Sequence, residues 1–256
     1  MLNLLRSEWY KLCRNRSFWL LLSLLFASAV IYVLLNYYDD PNDGGALTGM
    51  SGLDLFASSM GANNYIIKIG LSVLAGFFLS SEYSTGTIKR AVASGYSRSK
   101  FITAKLLVFI VGAMLTALVF PLVNILLGSV LFGRGDLSGG ISETGFIVRS
   151  FVLTLSLAAA FAAVTGAIAT FLTDSGKTIG TVFVLYFFAD GLYAMTGKFL
   201  PFVNTLYDYS IFNLITHYAD PDMSGSDFAQ SVSISLLVAI AFVGIGIAVF
   251  RRKEIK

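Results

Sequence analysis

Residues 82–105 read EYSTGTIKRAVASGYSRSKFITAK and lie between two apolar runs, each long enough to cross a lipid bilayer. The stretch contains one acid, Glu82, and five basic residues, Lys89, Arg90, Arg98, Lys100 and Lys105. Positive charge beside a membrane span is typical of the cytoplasmic face. The stretch therefore predicts a cytoplasmic connection between two membrane-spanning helices.

The same stretch carries its own helix start and stop signals. Ser84 or Thr85 suits the N-terminal cap of a short helix over residues 86–94, and Gly95 suits its end. Ser97 then suits the cap of the following helix. A plain connector needs none of these signals, so we expect an ordered hairpin that receives force from a partner.

Composition places the whole chain in a membrane. Of its 256 residues 56% are hydrophobic, the mean hydropathy is +0.76, and 13% are charged, which is about half the share in a soluble domain. We predict an all-α integral membrane protein with six spans. Their approximate ranges are 18–38, 62–81, 101–132, 146–172, 178–195 and 231–250.

The segments outside the spans have distinct predicted roles. Residues 1–17 carry an apolar stripe with basic flanks and predict an amphipathic helix at the membrane interface. Residues 199–218 are apolar but interrupted by polar side chains and a proline. They could form a seventh span, or short helices that enter the outer leaflet.

Charge distribution favours six spans. With six, both termini, the hairpin and the turn at 173–177 share one side, and that side holds 14 of the 18 basic residues. The positive-inside rule makes it cytoplasmic. A seventh span would place the basic tail outside, so we predict that residues 199–218 form a re-entrant or interfacial element on the outer side, before the sixth span.

Catalytic patterns are weak. His217 is the one histidine, and Ser51 lies in a Gly-x-Ser-Gly pattern that imitates an intramembrane serine protease. Residues 175–178 read SGKT, but the glycine that a phosphate-binding loop requires is replaced by Phe171. We therefore expect a chain that is not an enzyme, with no catalytic residue, no metal and no cofactor of its own.

Two further charged residues are candidates for function. Asp190 is an acid well inside a predicted span, and such acids are functional candidates by default; a wet vestibule, or pairing with Lys198 or Lys68, would also explain it. Lys68 itself is expected to extend to the membrane surface. Glu82 either is neutralised by nearby basic residues or orients the hairpin against the N-terminal helix.

With these residues in view, the chain resembles the permease subunits of ABC-2-type transporters, especially small bacterial ones linked to bacitracin and lantibiotic resistance or peptide export. The resemblance rests on Glu82-x-x-x-Gly86-Thr87-Ile88-Lys89, on Gly95-x-Ser97-Arg98, and on the N-terminal SEWYKL. It implies that the hairpin is the coupling element for an ATPase, with the residues Glu82, Gly86, Thr87, Ile88, Lys89, Arg90, Gly95 and Arg98.

The resemblance also implies partners and a location. Such permeases pair with themselves or with a related permease in a bacterial cell membrane and bind two copies of a cytoplasmic ATPase, which holds the ATP and Mg²⁺. Membrane lipid surrounds the permease, and no nucleic acid is involved. The implied cargo is a peptide or an amphipathic drug. The alternatives are a stand-alone secondary transporter or channel that depends on Asp190, and a membrane-embedded enzyme that depends on Ser51 or His217.

Overall fold

The computed structural model describes residues 1–38, 51–84, 86–88, 95–135, 142–197, 200–217 and 220–253. Within those ranges every regular element is a helix, as the sequence predicted. The chain begins with α1 (Leu2–Arg14) and continues after Asn15 into α2 (Arg16–Tyr38). The α2 helix is 23 residues long and almost uniformly apolar, so its length suits a membrane crossing.

The next helix begins earlier than the hydropathy of the sequence indicated. Helix α3 (Gly52–Leu74) passes into a π-helical segment (Ala75–Ser80) and then into α4 (Ser81–Ser84). The predicted span began at residue 62, because the preceding residues are polar. Ser51 and Asp54 form a capping box that starts the helix, and neighbouring helices bury the polar residues Ser59, Asn63 and Asn64.

Three long helices form most of the remaining bundle. Helix α5 (Arg98–Leu131) is helical through Pro121, and α6 (Glu143–Leu172) ends at Thr173, which adopts the left-handed conformation with a φ of 62°. Helix α7 (Ser175–Gly197) follows at once. The turn between α6 and α7 is therefore only two residues long.

Residues that the sequence left ambiguous form two short helices. They are α8 (Pro201–Asp208) and α9 (Ile211–His217), and neither is long enough to cross a bilayer. Helix α10 (Gly225–Arg252) then completes the described chain.

In the part of the chain that the structure describes, five helical stretches are long and apolar enough to cross a membrane: Arg16–Tyr38, Gly52–Tyr83, Arg98–Leu131, Glu143–Leu172 and Gly225–Arg252. The apolar part of α7, Ser175–Ala189, is shorter. The chain is thus an all-α, multi-pass membrane protein, and its six-span count and the orientation of its termini stay predictions.

Small side chains let the helices of the bundle approach closely. Ala158, Ala160 and Ala162 on α6 are fully buried, and α6 makes its most extensive packing with α10. Gly246 of α10 lies against α6, because a Cβ there would be 3.7 Å from Ala167 Cα. This is the close backbone contact that small residues permit between membrane helices.

Helix α9 reaches deep into the bundle. The ring of Phe212 lies 5.4 Å from that of Phe161 on α6 and 5.9 Å from that of Tyr186 on α7. Both residues lie eleven positions from the end of their helix at the α6–α7 turn, which is about 16 Å at 1.5 Å per residue. That is near half of the roughly 30 Å apolar thickness of a bilayer, and the re-entrant position of α9 stays a prediction.

Lys68 does not extend to the surface as the sequence indicated. It is 1% exposed, and its Nζ lies 5.9 Å from the centroid of the Phe212 ring. Helix α3 begins at Gly52, ten residues before the predicted start, so Lys68 lies in the interior of the helix and not in its first turns.

Candidate functional site

Four charged side chains meet at one end of the bundle, and they come from three separate parts of the chain. Glu8 and Lys11 lie on α1, Glu82 lies on α4, and Lys105 lies near the start of α5. Lys105 Nζ is 2.7 Å from Glu82 Oε2 and 3.2 Å from Glu8 Oε2. Lys11 Nζ is 3.2 Å from Glu82 Oε1 and also contacts Glu8 Oε1. We call this set the charged junction.

Burial makes the pairing within the charged junction necessary. The side chains of Glu8 and Lys105 are each 1% exposed, that of Glu82 is 14% exposed, and that of Lys11 is 32% exposed. An unpaired ion in such surroundings costs several kcal/mol, roughly, in lost hydration. Among the described residues two ammonium groups face the two carboxylates, and the face of the Phe78 ring, 4.7 Å from Lys105 Nζ, adds a cation–π contact.

Lys11 is the only member of the charged junction that opens substantially to solvent. Burial lowers the pKa of Lys11, but its hydrogen bond with Glu8 and the charge of Glu82 outweigh that effect and raise the pKa above the ordinary 10.5. Lys11 therefore stays protonated at neutral pH, and the pairing persists there.

The orientation of α1 follows from this pairing. Leu4, Glu8 and Leu12 are spaced by four residues, share one helix face and are all buried. Leu12 packs against Gly112 of α5, where a Cβ would lie 2.9 Å from Leu12 Cδ2. The stripe that the sequence predicted for the membrane surface consists of Leu2, Leu5, Trp9 and Leu12; of these, Leu12 is buried against the bundle, whereas Leu2 and Trp9 are exposed.

The sequence identified Glu82 and named the N-terminal helix as one of its possible partners, and the structure joins Glu82 to Lys11 of that helix. Glu8 was missed as a site residue. Its position midway between Leu4 and Leu12 on one helical face was the available signal, because an acid in a buried stripe requires a partner.

The hairpin itself is described at both of its ends. Gly86 has a φ of +67° and Gly95 a φ of +84°, in the left-handed region that glycine adopts without strain. Ile88 is fully buried, and Thr87 precedes it. Lys89 and Arg90, and most of the predicted helix over 86–94, lie outside the described residues.

The far side of the hairpin contacts the C-terminal segment. Arg98 Nη1 donates to Lys253 O at 3.0 Å. Lys253 Nζ in turn donates to two carbonyls at the end of α6, Thr170 O at 2.8 Å and Phe171 O at 2.5 Å. A cation at a helix C-terminus satisfies carbonyls that lack an intrahelical partner. Burial lowers the pKa of Lys253.

The π-helical segment of the second span meets the start of α7. Ser175 Oγ donates to Gly76 O at 2.8 Å, and the hydroxyls of Ser80 and Thr178 are 2.8 Å apart. Gly76 O also accepts from the Ser81 N–H, so this carbonyl is shared between the end of the π-helical segment and α7. Residues 175–178 imitated part of a phosphate-binding loop in the sequence. In the structure Ser175 and Thr178 connect α7 to the π-helical segment.

The remaining sequence candidates lie apart from the charged junction. Ser51 is the N-cap of α3, where its hydroxyl accepts from Asp54 N at 3.2 Å. Asp190 lies on α7 and His217 ends α9, and the side chains of both fall outside the described part of the molecule. Across the described ranges, no group of three or more His, Cys, Asp or Glu residues could hold a metal ion.

Comparison with known proteins supports the same assignment as this geometry. A family model described as ABC-2 family transporter protein matches residues 4–190, which is well over half of the chain. A comparison with curated proteins found no match. Because the matched region contains α1, the hairpin and the whole charged junction, we conclude that this chain belongs to the ABC-2 family of transporter proteins, in which it is a permease-type membrane component.

Proposed function

We propose that the chain is the membrane-spanning subunit of an ATP-driven exporter in the bacterial cytoplasmic membrane. In this proposal the hairpin over residues 82–105 binds a separate ATPase, which carries the ATP and Mg²⁺, and two permease chains form the path. The main support for this proposal is the charged junction. Its ion pairs connect Glu82 and Lys105, at the two ends of the hairpin, to α1. Peptides or amphipathic drugs are the proposed cargo.

The charged junction would transmit movement because its members lie on long helices. Glu82 continues into the second span through the π-helical segment, and Lys105 lies on the 34-residue α5. Displacement of the hairpin by a closing ATPase would therefore move both spans together. The buried ion pairs hold the two flanks at a fixed spacing, so force reaches the spans instead of deforming the loop.

Lys253, which follows α10, would transmit the same movement from the hairpin to α6 and α10. Arg98 is bonded to Lys253, and Lys253 is bonded to the end of α6. Helix α10, which ends beside Lys253, packs along α6. Both halves of the described bundle are thus linked to the hairpin by polar contacts at one face.

Purification from the native membrane in mild detergent tests the proposal first. We expect a stoichiometric ATPase chain to co-purify. Replacing Gly86 with valine, which resists positive φ, should uncouple ATP hydrolysis from export while the protein still folds. Gly225→Val is the matched control, because a Cβ at Gly225 has no neighbour within 4 Å.

Two results would contradict the proposal. One is reproducible purification of a stable permease without an ATPase. The other is normal coupled export by the Gly86→Val variant. Transport that persists without ATP and disappears in Asp190→Asn would instead favour a stand-alone secondary transporter or channel.

A further inference from the structure

A cavity with an apolar wall and two opposite charges lies at the end of the bundle opposite the charged junction. Its volume is about 450 Å³, and it lies between the end of α5, the start of α6 and the first turn of α3. Because α5 carries Lys105 near its start and this cavity at its end, the two sites lie about 40 Å apart. We call the cavity the α5–α6 crevice.

Apolar side chains on α5 and α6 form the wall of the α5–α6 crevice. Leu126 and Val130 are spaced by four residues, so they share one face of α5, and they are 65% and 79% exposed. Ile125 on α5 and Ile147 on α6 extend this wall across the two helices. Both helices are long and apolar enough to cross a bilayer, so the exposed part of the wall lies in contact with hydrocarbon. The wall therefore suits an acyl chain that runs parallel to α5.

Two opposite charges line the mouth of the crevice. Arg134 lies just after the end of α5, and Glu143 is the first residue of α6. These two side chains do not pair with each other, and neither forms an ion pair or a hydrogen bond with any described residue. Asp54, the acid next to Leu53 in the wall, accepts instead from Ser51 Oγ at 2.8 Å in the cap of α3. Both charges of the crevice are thus available to a ligand that carries the opposite pair.

The backbone of Arg134 is fixed, so its side chain emerges from a defined point of the crevice. Gly133 and Gly135, on either side of it, have φ angles of +77° and +70°, which glycine adopts without strain. Gly133 O accepts from Gly52 N at 2.8 Å, and Arg134 O accepts from Leu53 N at 3.3 Å. The N–H groups that lack an intrahelical partner at the start of α3 therefore hold this turn in place. The first turn of α3 closes the crevice from behind.

The order of these groups along the bundle axis indicates the class of ligand. A phospholipid presents hydrocarbon chains, then a phosphate, and in phosphatidylethanolamine a primary ammonium group beside the phosphate. A guanidinium binds phosphate oxygens in a bidentate manner, and a carboxylate accepts the N–H groups of an ammonium. A volume of about 450 Å³ is in the range of small-ligand sites and suits a headgroup with the first part of one chain. A soluble ion would use one charge and leave the apolar wall without a partner.

We propose that the α5–α6 crevice binds a phospholipid whose headgroup carries both a phosphate and a primary ammonium, as phosphatidylethanolamine does. Arg134 binds the phosphate, Glu143 accepts from the ammonium, and one acyl chain lies along Leu126 and Val130. Basic pockets between membrane helices are a known way to recognise lipid headgroups, and the carboxylate adds the selectivity for the ammonium. The bound lipid connects the end of α5 to the start of α6. The inference does not depend on the proposed export function.

Native mass spectrometry of the full chain, purified in detergent and stripped of lipid, measures this binding directly. The protein is titrated with an equimolar mixture of phosphatidylethanolamine and phosphatidylglycerol that have the same acyl chains. Both lipids carry the phosphate, and only phosphatidylethanolamine carries the ammonium. We expect the first bound lipid to be phosphatidylethanolamine with about a tenfold preference, which is the scale of one charge-assisted hydrogen bond.

Variants locate the binding. Glu143→Gln should abolish the preference, and Glu143→Lys should reverse it in favour of phosphatidylglycerol. Asp222→Asn, which removes an exposed acid elsewhere at the same end of the bundle, is the matched control and should keep the preference. Arg134→Gln should weaken the binding of both lipids about tenfold, whereas Lys177→Gln, in an exposed position near the α6–α7 turn, should not. The preference is a ratio within one sample, so a partly unfolded fraction of a variant does not alter it.

Equal binding of the two lipids by the unmodified protein would overturn the inference. An unchanged preference in Glu143→Gln, or the same loss in Asp222→Asn, would place the selectivity outside the crevice and would also overturn it. Displacement of phosphatidylethanolamine by an equimolar amount of soluble glycerophosphoethanolamine would assign the crevice to a soluble zwitterion instead of a lipid. None of these results bears on whether an ATPase co-purifies, so the inference and the exporter proposal can fail separately.

Discussion

At the scale of single residues, the charged junction is the feature with the strongest physical constraint. Glu8 and Lys105 are both removed from water, and each has the other as a partner. A buried ion pair adds little net stability compared with an apolar pair, whereas removal of one partner is costly. The charged junction therefore determines how α1 packs on α5. Its net contribution to the free energy of unfolding is small.

We predict that Lys105→Met lowers the free energy of unfolding by about 3–5 kcal/mol, because the fully buried Glu8 then loses its fully buried cationic partner. Lys11→Met is the matched control. Its ammonium is partly hydrated but contacts the same two carboxylates, so we expect a smaller loss than for Lys105→Met. Thermal unfolding of the detergent-purified variants measures both effects.

A double variant separates charge from packing. Glu8→Gln combined with Lys105→Met removes one acid and one base and leaves Lys11 paired with Glu82. We expect the double variant to unfold at a higher temperature than Lys105→Met alone. Equal unfolding temperatures for the two would show that lost packing, not the unpaired charge, causes the destabilisation.

At the scale of secondary-structure elements, the helices are held by close backbone approach at a few glycines. Gly52, the first residue of α3, donates from its N–H to Gly133 O at 2.8 Å. A Cβ at Gly52 would lie 2.7 Å from that carbonyl oxygen and 2.8 Å from Ser129 Cα. The start of α3 is therefore fixed against the end of α5 by backbone atoms that cannot rotate away.

We predict that Gly52→Ala destabilises the protein by about 1–3 kcal/mol, because the clash is with backbone and the chain must shift. Gly61→Ala, on the same helix, has no neighbour within 4 Å of its Cβ and should be neutral or stabilising by up to about 1 kcal/mol. Thermal unfolding of the two variants compares them directly. A neutral Gly52→Ala would mean that α3 and α5 can separate at no cost.

At the scale of the whole molecule, the arrangement of α7 to α10 decides the topology. Helices α8 and α9 are too short to cross, and Phe212 of α9 packs against Phe161 of α6. If α8 and α9 enter the membrane and return to the same side, the start of α7 and the start of α10 lie on opposite faces of the membrane. A seventh span would leave them on the same face.

Cysteine labelling measures this arrangement. Cys13, the single cysteine, is first replaced by serine, and one new cysteine is placed at Lys177 or at Ser226, both of which are exposed. A membrane-impermeant maleimide added to intact cells should label Ser226→Cys and spare Lys177→Cys. Inverted vesicles should give the reverse. Labelling of both positions from one side would contradict the six-span arrangement.

The sequence by itself determined the features that depend on local chemistry. Long apolar runs predicted helices because a bilayer leaves no water for unpaired backbone groups. Gly95 indicated a residue with positive φ, because left-handed turns depend on the residue itself. Ser97 does precede α5 at Arg98, although its side chain makes no capping hydrogen bond. The hairpin motif indicated the family for the same reason, since it is a short contiguous pattern.

Only the tertiary structure decided which distant groups meet. It turned Glu8 towards Lys105, 97 residues away, and placed Leu2 and Trp9 on the exposed side of α1. It buried Lys68 against Phe212, and it placed the start of α3 behind the α5–α6 crevice. The energy of a buried charge depends on every neighbour that replaces its water, and those neighbours are set by packing between helices, which no local stretch of sequence contains.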